Sequence, residues 1–345
     1  MKRTALAAVV LAAAALAAAG CGGASDASGG SASAATAGGS TKLAIVAYST
    51  PQVVYDQAIP AFQKTAAGKG VGFSESFGAS GDQSRAVEAG QAADVVEFSL
   101  APDMDRLVKD GLVASDWAAN PHHGFVSESV VVFVVRKGNP KQIHTWQDLL
   151  RPGIKVLTPN PFSSGSAKWN LLAAYGAQIK QGRTPAQALA YVKELITKHV
   201  PVQDKSGRDA LQDFTSGNGD VLLSYENEAI TAQQKGQSVD YVIPDDTILI
   251  QNPLAVVKTS KHLAQAQGFA HYLWSPAGQK IFAEHGYRPV EKTVFAQYAS
   301  RFPTPKGLFT IGDLGGWTKV DKQFFDATNG SIAKIENEAG VSTAK

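Results

Sequence analysis

Thr158-Pro159-Asn160-Pro161-Phe162-Ser163-Ser164-Gly165-Ser166-Ala167-Lys168-Trp169-Asn170 is the stretch on which the fold turns. Pro159 and Pro161 stop the apolar run Ile154 to Leu157 and hold an extended turn, while Ser163 to Ser166 leave the next amides sterically open. From Gly165 the pattern turns helical, with Trp169, Leu172, Ala173 and Ile179 on one face and Gly182 as a stop. A strand thus feeds a small-residue turn at the start of a helix. First-turn amides lack intrahelical partners and the helix dipole is positive there, so the construction suits an anion; its commoner use is an ordinary serine cap with no ligand. Repetition weighs against the plain cap.

The construction recurs along the chain. The run Leu43 to Ala47 ends at Tyr48-Ser49-Thr50-Pro51 before a helical stretch, and Val71 to Phe77 runs into Gly78-Ala79-Ser80-Gly81 and a second helix. Lys205-Ser206-Gly207-Arg208 opens another helix, and Gly219 to Tyr225 is a strand running straight into Glu226 to Lys235. Val130 to Val135 reads as a strand covered on both faces, while Ile248 to Ile250 and Pro253 to Val257 read as two separate strands. Such alternation predicts an α/β fold whose sheets are mixed but mostly parallel, flanked by helices. In open sheets of this class, ligands lie at the carboxyl ends of strands. Junctions carrying Ser80, Ser164, Gly207 and Tyr225 are therefore expected to converge.

With 345 residues the chain is long enough for two domains. Met1 to Gly20 has the pattern of a secretory signal, Lys2 and Arg3 followed by an Ala/Val/Leu run. Setting those two cations aside leaves 30 basic side chains against 30 acidic, which carries no footprint for nucleic acid. Cys21 is the only cysteine, so no internal disulfide is possible, and Leu16 to Gly20 before it resembles a lipobox. Cleavage before Cys21 and lipidation of its sulfur are expected. Gly22 to Thr41, almost all Gly, Ala, Ser and Thr, is a tether able to span on the order of 25 Å.

Catalytic patterns are weak. Gly78-Ala79-Ser80-Gly81 lacks the glycine spacing of a nucleophile elbow, and the sequence has no Gly-Lys-Ser/Thr phosphate loop and no His-Glu-x-x-His. Adjacent His122 and His123 read as loop residues, and Asp204, Asp209, Glu226 and Glu228 stand at helix starts where carboxylates cap. A serine-dependent hydrolase would need a base within reach of Ser80 or Ser164. Amides and hydroxyls, by contrast, suit a small oxyanion bearing no proton, and an all-donor cage rejects phosphate because its proton would face donors. Whether Asp82 or Glu226 turns inward then bears directly on selectivity.

Several stretches in register resemble the bacterial sulfate/thiosulfate-binding proteins of ABC importers. They are Ser76 to Gln83, Val134 to Ile143, Thr158 to Asn170, Gly219 to Leu222 with Glu226-Asn227-Glu228-Ala229, and Gly286-Tyr287-Arg288-Pro289, within a likeness covering about Leu43 to Trp317. The resemblance implies a two-lobed periplasmic-binding-protein fold of type II, with the ligand in the cleft between lobes. It places lobe 1 at 42–127 and 244–330, lobe 2 at 128–243, and a polar tail at 331–345. It also implies a lipid-anchored monomer that needs no cofactor and hands sulfate, and thiosulfate with it, to a membrane permease. By position the ligand groups are the amide of Ser49, Ser80, the hydroxyl and amide of Ser164, the amides of Gly165, Ser166 and Gly207, and the side chain of Tyr225. Ser49 stands where the family has Asp, Gly207 for Ala, Ser166 for Gly, Lys168 for Arg, and Tyr225 for a Trp whose indole N–H donates. The substitution of Tyr225 leaves molybdate and tungstate open as alternative cargoes.

Overall fold

The computed structural model describes residues 41–344; the signal, Cys21 and most of the tether lie outside the described residues. Strand β1 (Thr41–Tyr48), helix α1 (Gln52–Gln63), β2 (Val71–Gly78), α2 (Ser80–Glu88), β3 (Val95–Glu97) and α3 (Ala101–Lys109) alternate strictly. Then come the long β4 (Phe125–Arg136), β5 (Val156–Leu157), α4 (Gly165–Lys180), α5 (Pro185–Glu194), α6 (Gly207–Thr215), β6 (Val221–Tyr225), α7 (Glu226–Gln234) and β7 (Val239–Val242). A second long strand, β8 (Leu249–Val256), precedes α8 (Leu263–Trp274), α9 (Pro276–Glu284), β9 (Arg288–Pro289), α10 (Lys292–Gln297), α11 (Trp317–Val320) and α12 (Ser331–Glu338).

The strand order is β2-β1-β3-β8-β4-β6-β5, with β7 and β9 both on β4. β1 pairs in parallel with β2 and β3, and β5 with β6, whereas every pairing of β4 and β8 is antiparallel. Those two strands divide the molecule. β4 meets β8 through Phe125 to Val130 and β6 through Val131 to Val135; β8 meets β4 through Leu249 to Pro253 and β3 through Leu254 to Val256. Each strand changes partners along its length within the one nine-stranded sheet. Val130 to Val135 is buried throughout, and the pleat sends Val131, Phe133 and Val135 into one core while Val130, Val132 and Val134 enter another. The first half packs Leu43, Ile45, Tyr55, Phe62, Phe73 and Phe269 together, the second Phe133, Trp146, Trp169, Leu172, Tyr191 and Leu195.

Three expectations are corrected here. Leu249 to Val256 is one strand, because Pro253 sits opposite Phe125 at a register shift where its missing N–H costs nothing. The second part of lobe 1 does not extend to residue 330: Phe309, Val320, Phe324 and Phe325 pack into the core of the second half. Beyond Gly330, the expected polar tail instead forms α12, whose Ile332 and Ile335 are buried in that same core. A helix with an apolar stripe of so few residues is short enough to read as polar sequence.

One buried acid makes stability depend on pH. Glu97 is fully buried at the end of β3, where Tyr55 donates its hydroxyl to Oε2 at 2.5 Å, and burial pushes the carboxyl up to about 8. The folded state therefore keeps a proton that the unfolded chain releases near its ordinary carboxylate range, so unfolding free energy falls as pH rises from about 4.5 through about 8. Glu97→Gln, which keeps the shape and carries no charge, should flatten this slope by a few kcal/mol between pH 5 and 8 in urea titrations. An equally steep slope in the variant would show that Glu97 is ionised in the fold.

Candidate functional site

Each expected helix start exists, although no strand precedes α6, and hydrogen bonds tie the starts to one another. Ser49 follows β1, Ser80 is the first residue of α2, Gly165 and Ser166 open α4, Gly207 opens α6, and Tyr225 ends β6 at the start of α7. Ser99, just past β3, is the common point. Its amide donates to Ser80 Oγ at 3.0 Å, its Oγ shares a hydrogen bond of 2.8 Å with the Tyr225 hydroxyl, and its carbonyl accepts from Trp169 Nε1 at 2.8 Å. A Cβ built on Gly165 would lie 2.5 Å from Ser99 Oγ, so only glycine lets α4 start this close to β3. Gly81 N reaches Ser163 O at 3.2 Å, and Ser164 Oγ pairs with Ser166 Oγ at 2.8 Å. Gly207 stands against Ser166 Oγ and the Glu228 carboxylate, 3.0 and 3.2 Å from where its Cβ would be.

The donors divide into spent and free. Among the described residues no hydrogen bond within the chain engages the amides of Ser49, Ser80, Gly165, Ser166 or Gly207. Four of the five are first-turn amides, which a helix cannot satisfy itself. The amide of Ser164, expected among the donors, is instead engaged: it donates to Asn160 O at 2.9 Å, closing the turn that the two prolines set up. Ser164 is also no ordinary serine cap, since its hydroxyl turns to Ser166 and makes no cap bond. Ser80 keeps only its amide, because its hydroxyl donates to Asp103 Oδ2 at 2.6 Å while accepting from Ser99. Tyr225 is fully buried, and burial lifts its phenol far above the ordinary range, so its proton stays on.

The acids sort by partner. Glu226 is turned away into a buried pair with Arg288, Nε to Oε2 at 2.7 Å and Nη2 to Oε1 at 3.1 Å. Asp82 pairs with Arg85 and Lys205 near the surface. Glu228, at a helix start where a carboxylate commonly caps, lies instead behind Gly207 and accepts from Ser224 Oγ at 2.5 Å. Burial raises its carboxyl to about 7, against the opposing pull of the Ser224 hydroxyl and the Arg208 guanidinium, so a large neutral fraction persists at neutral pH. Burial likewise raises Asp103, with Lys168 and Ser80 opposing. Sequence reasoning missed Ser99, Asp103 and Glu228; Ser99 alone left a trace, as a small residue at the end of a short strand.

Chemically the arrangement offers backbone N–H groups and hydroxyls from both halves, with four helix N-termini at hand and no cation among these donors. Among the described residues no group of three or more His, Cys, Asp or Glu is placed to hold a metal. Ser80 and Asp103 satisfy the distance a hydrolase would need. Yet Ser80 Oγ already accepts the Ser99 amide, which draws its lone pair away from any electrophile, and Ser80 is buried.

Comparison with known proteins identifies the family. The pattern of the family described as bacterial extracellular solute-binding protein matches residues 43–288. A sulfate-binding protein of Synechococcus elongatus is 42% identical over 297 residues, 84% of this chain and 85% of that protein. A thiosulfate-binding protein of Pseudomonas aeruginosa is 37% identical over 81% of this chain and 88% of its own. Among solved structures, the sulfate-binding protein SubI from Mycobacterium tuberculosis H37Rv superposes with a TM-score of 0.81 at 50% identity, covering 83% of this chain and all of that one.

Proposed function

The chain belongs to the bacterial extracellular solute-binding proteins, and from that premise we propose that it captures sulfate, and thiosulfate with it, outside the cytoplasm for an ABC permease. What supports this reading is that the amides of Ser49, Ser80, Gly165, Ser166 and Gly207, at chain turns in both halves, are engaged by no hydrogen bond among the described residues. The anion is held by the amides of Ser49, Ser80, Gly165, Ser166 and Gly207, by the Tyr225 hydroxyl and by one hydroxyl of the Ser164–Ser166 pair, the proton of the other lying between the two. Each donor supplies a partial positive charge without a counterion, and together with the helix dipoles they replace the hydration of a dianion. Tyr225 fills the donor role in this reading because Ser99 can donate to the phenol oxygen, leaving the phenol proton for the ligand.

Calorimetric titration with sulfate, thiosulfate, phosphate and molybdate tests the reading. Sulfate and thiosulfate should bind and phosphate should bind far more weakly; molybdate preferred over sulfate would move the assignment to another oxyanion. Ser164→Ala removes one buried donor to a charged group and should weaken sulfate by about 1–3 kcal/mol. An unchanged dissociation constant would take Ser164 out of the site. Cys21 is assigned as the lipidated N-terminus of a monomer, to be read from the intact mass of protein extracted from membranes.

A further inference from the structure

One side chain spans the two halves beside the anion donors. Arg208 follows Gly207 in the first turn of α6; its Nη1 donates to Gln52 Oε1 at 2.5 Å and its Nη2 donates to the carbonyl of Ser49. Both acceptors belong to the first half, Ser49 at the end of β1 and Gln52 at the start of α1. Among the described residues no carboxylate lies within ion-pair distance of the guanidinium, although Glu228 is near enough to feel it. The guanidinium stands in the wall of a cavity of about 370 Å³ between α1 and the helices α6 and α7, lined also by Asp56, Glu228 and Lys235. Ser49 and Gly207 are amide donors from opposite halves, and Arg208 is bonded to the carbonyl of the one residue and adjacent in sequence to the other.

We propose that Arg208 is a positioning residue that latches the two halves over the bound anion and fixes the Ser49 and Gly207 amides at one centre. The proposal rests on the oxyanion-binding reading. A planar fork with two donors in fixed geometry suits two acceptors on one turn, whereas an ammonium is a point charge that does not reproduce it. Both bonds are made only when the halves are together, so their loss accelerates release more than it slows capture. The test is stopped-flow sulfate binding to the full mature chain and its Arg208→Gln and Arg208→Lys variants. Release should quicken about 10-fold in Arg208→Gln, as expected for loss of charge-assisted bonds, and by several-fold in Arg208→Lys, with association within about 3-fold of the parent. Parent-like release from Arg208→Lys together with slowed association in Arg208→Gln would reduce Arg208 to a long-range attracting charge and overturn the latch. So would unchanged release in both variants. A parent protein that binds no sulfate at all would defeat the functional reading itself, and small-angle scattering still separates the two: a latch predicts a more open average form for Arg208→Gln, and an unchanged scattering radius counts against it.

Discussion

Gly165→Ala should weaken sulfate binding by about 100-fold, close to 3 kcal/mol, while leaving a folded protein. The added methyl would sit 2.5 Å from Ser99 Oγ and 2.8 Å from Leu100 Cδ2, distances no relaxed carbon contact tolerates. Ser99 is held in place by Ser80, Tyr225 and Trp169, so α4 is the element that yields. As α4 backs away, the amides of Gly165 and Ser166 leave the common centre and the Ser99–Tyr225 pair loses its packing. Overpacking of this kind also costs about 1–3 kcal/mol of stability, readable by urea titration. Gly268→Ala is the matched control, since its methyl would meet only Ala67 Cβ at 3.8 Å on a helix where alanine is favoured. Equal affinity for the Gly165→Ala variant and its parent would mean that the start of α4 does not touch the ligand.

Removing Arg288 should be the most damaging single change to the fold. Arg288 and Glu226 form a two-bond ion pair with 4% and 0% of their side chains exposed, and Arg288 also donates to Pro303 O at 2.9 Å. Arg288→Leu strands a buried carboxylate, which costs about 3–5 kcal/mol. Burial already holds Glu226 above its ordinary range with Arg288 present, and losing the guanidinium removes the chief opposing interaction. A carboxyl raised in the fold keeps its stability below the unfolded value and loses it as pH rises, so the deficit should be larger at pH 8 than at pH 5. The double variant with Glu226→Gln should recover much of the loss. A deficit that ignores pH would indicate that Glu226 finds another cation.

The importance of these two positions was only partly visible beforehand. Gly165 stands in a stretch whose prolines and small residues state the turn outright, because a strand stop and a helix start are local properties of a dozen residues. Arg288 was part of a recognised motif, yet nothing near it in sequence names Glu226 as its partner, 62 residues away. The Ser164 amide shows the limit from the other side: the prolines and small residues specify the turn, but its i to i+4 closure onto Asn160 consumes a donor that the pattern alone leaves free. Phe309 to Phe325 follow lobe 1 in chain order yet pack with Phe133 and Trp146, because chain order cannot say which core will receive a strand-poor segment.

The amino-acid order alone determined the alternation of strands and helices, the places where small residues bare the first amides of a helix, and the family to which those places point. Tertiary structure decided that Ser99 joins Ser80 to Tyr225, that Glu226 faces Arg288 while Glu228 faces Gly207, and that Arg208 bridges the halves. The reason is physical. Backbone turns follow from steric preferences of adjacent residues, whereas the partner of a buried polar group is chosen by every other group that must be satisfied in the same desolvated space.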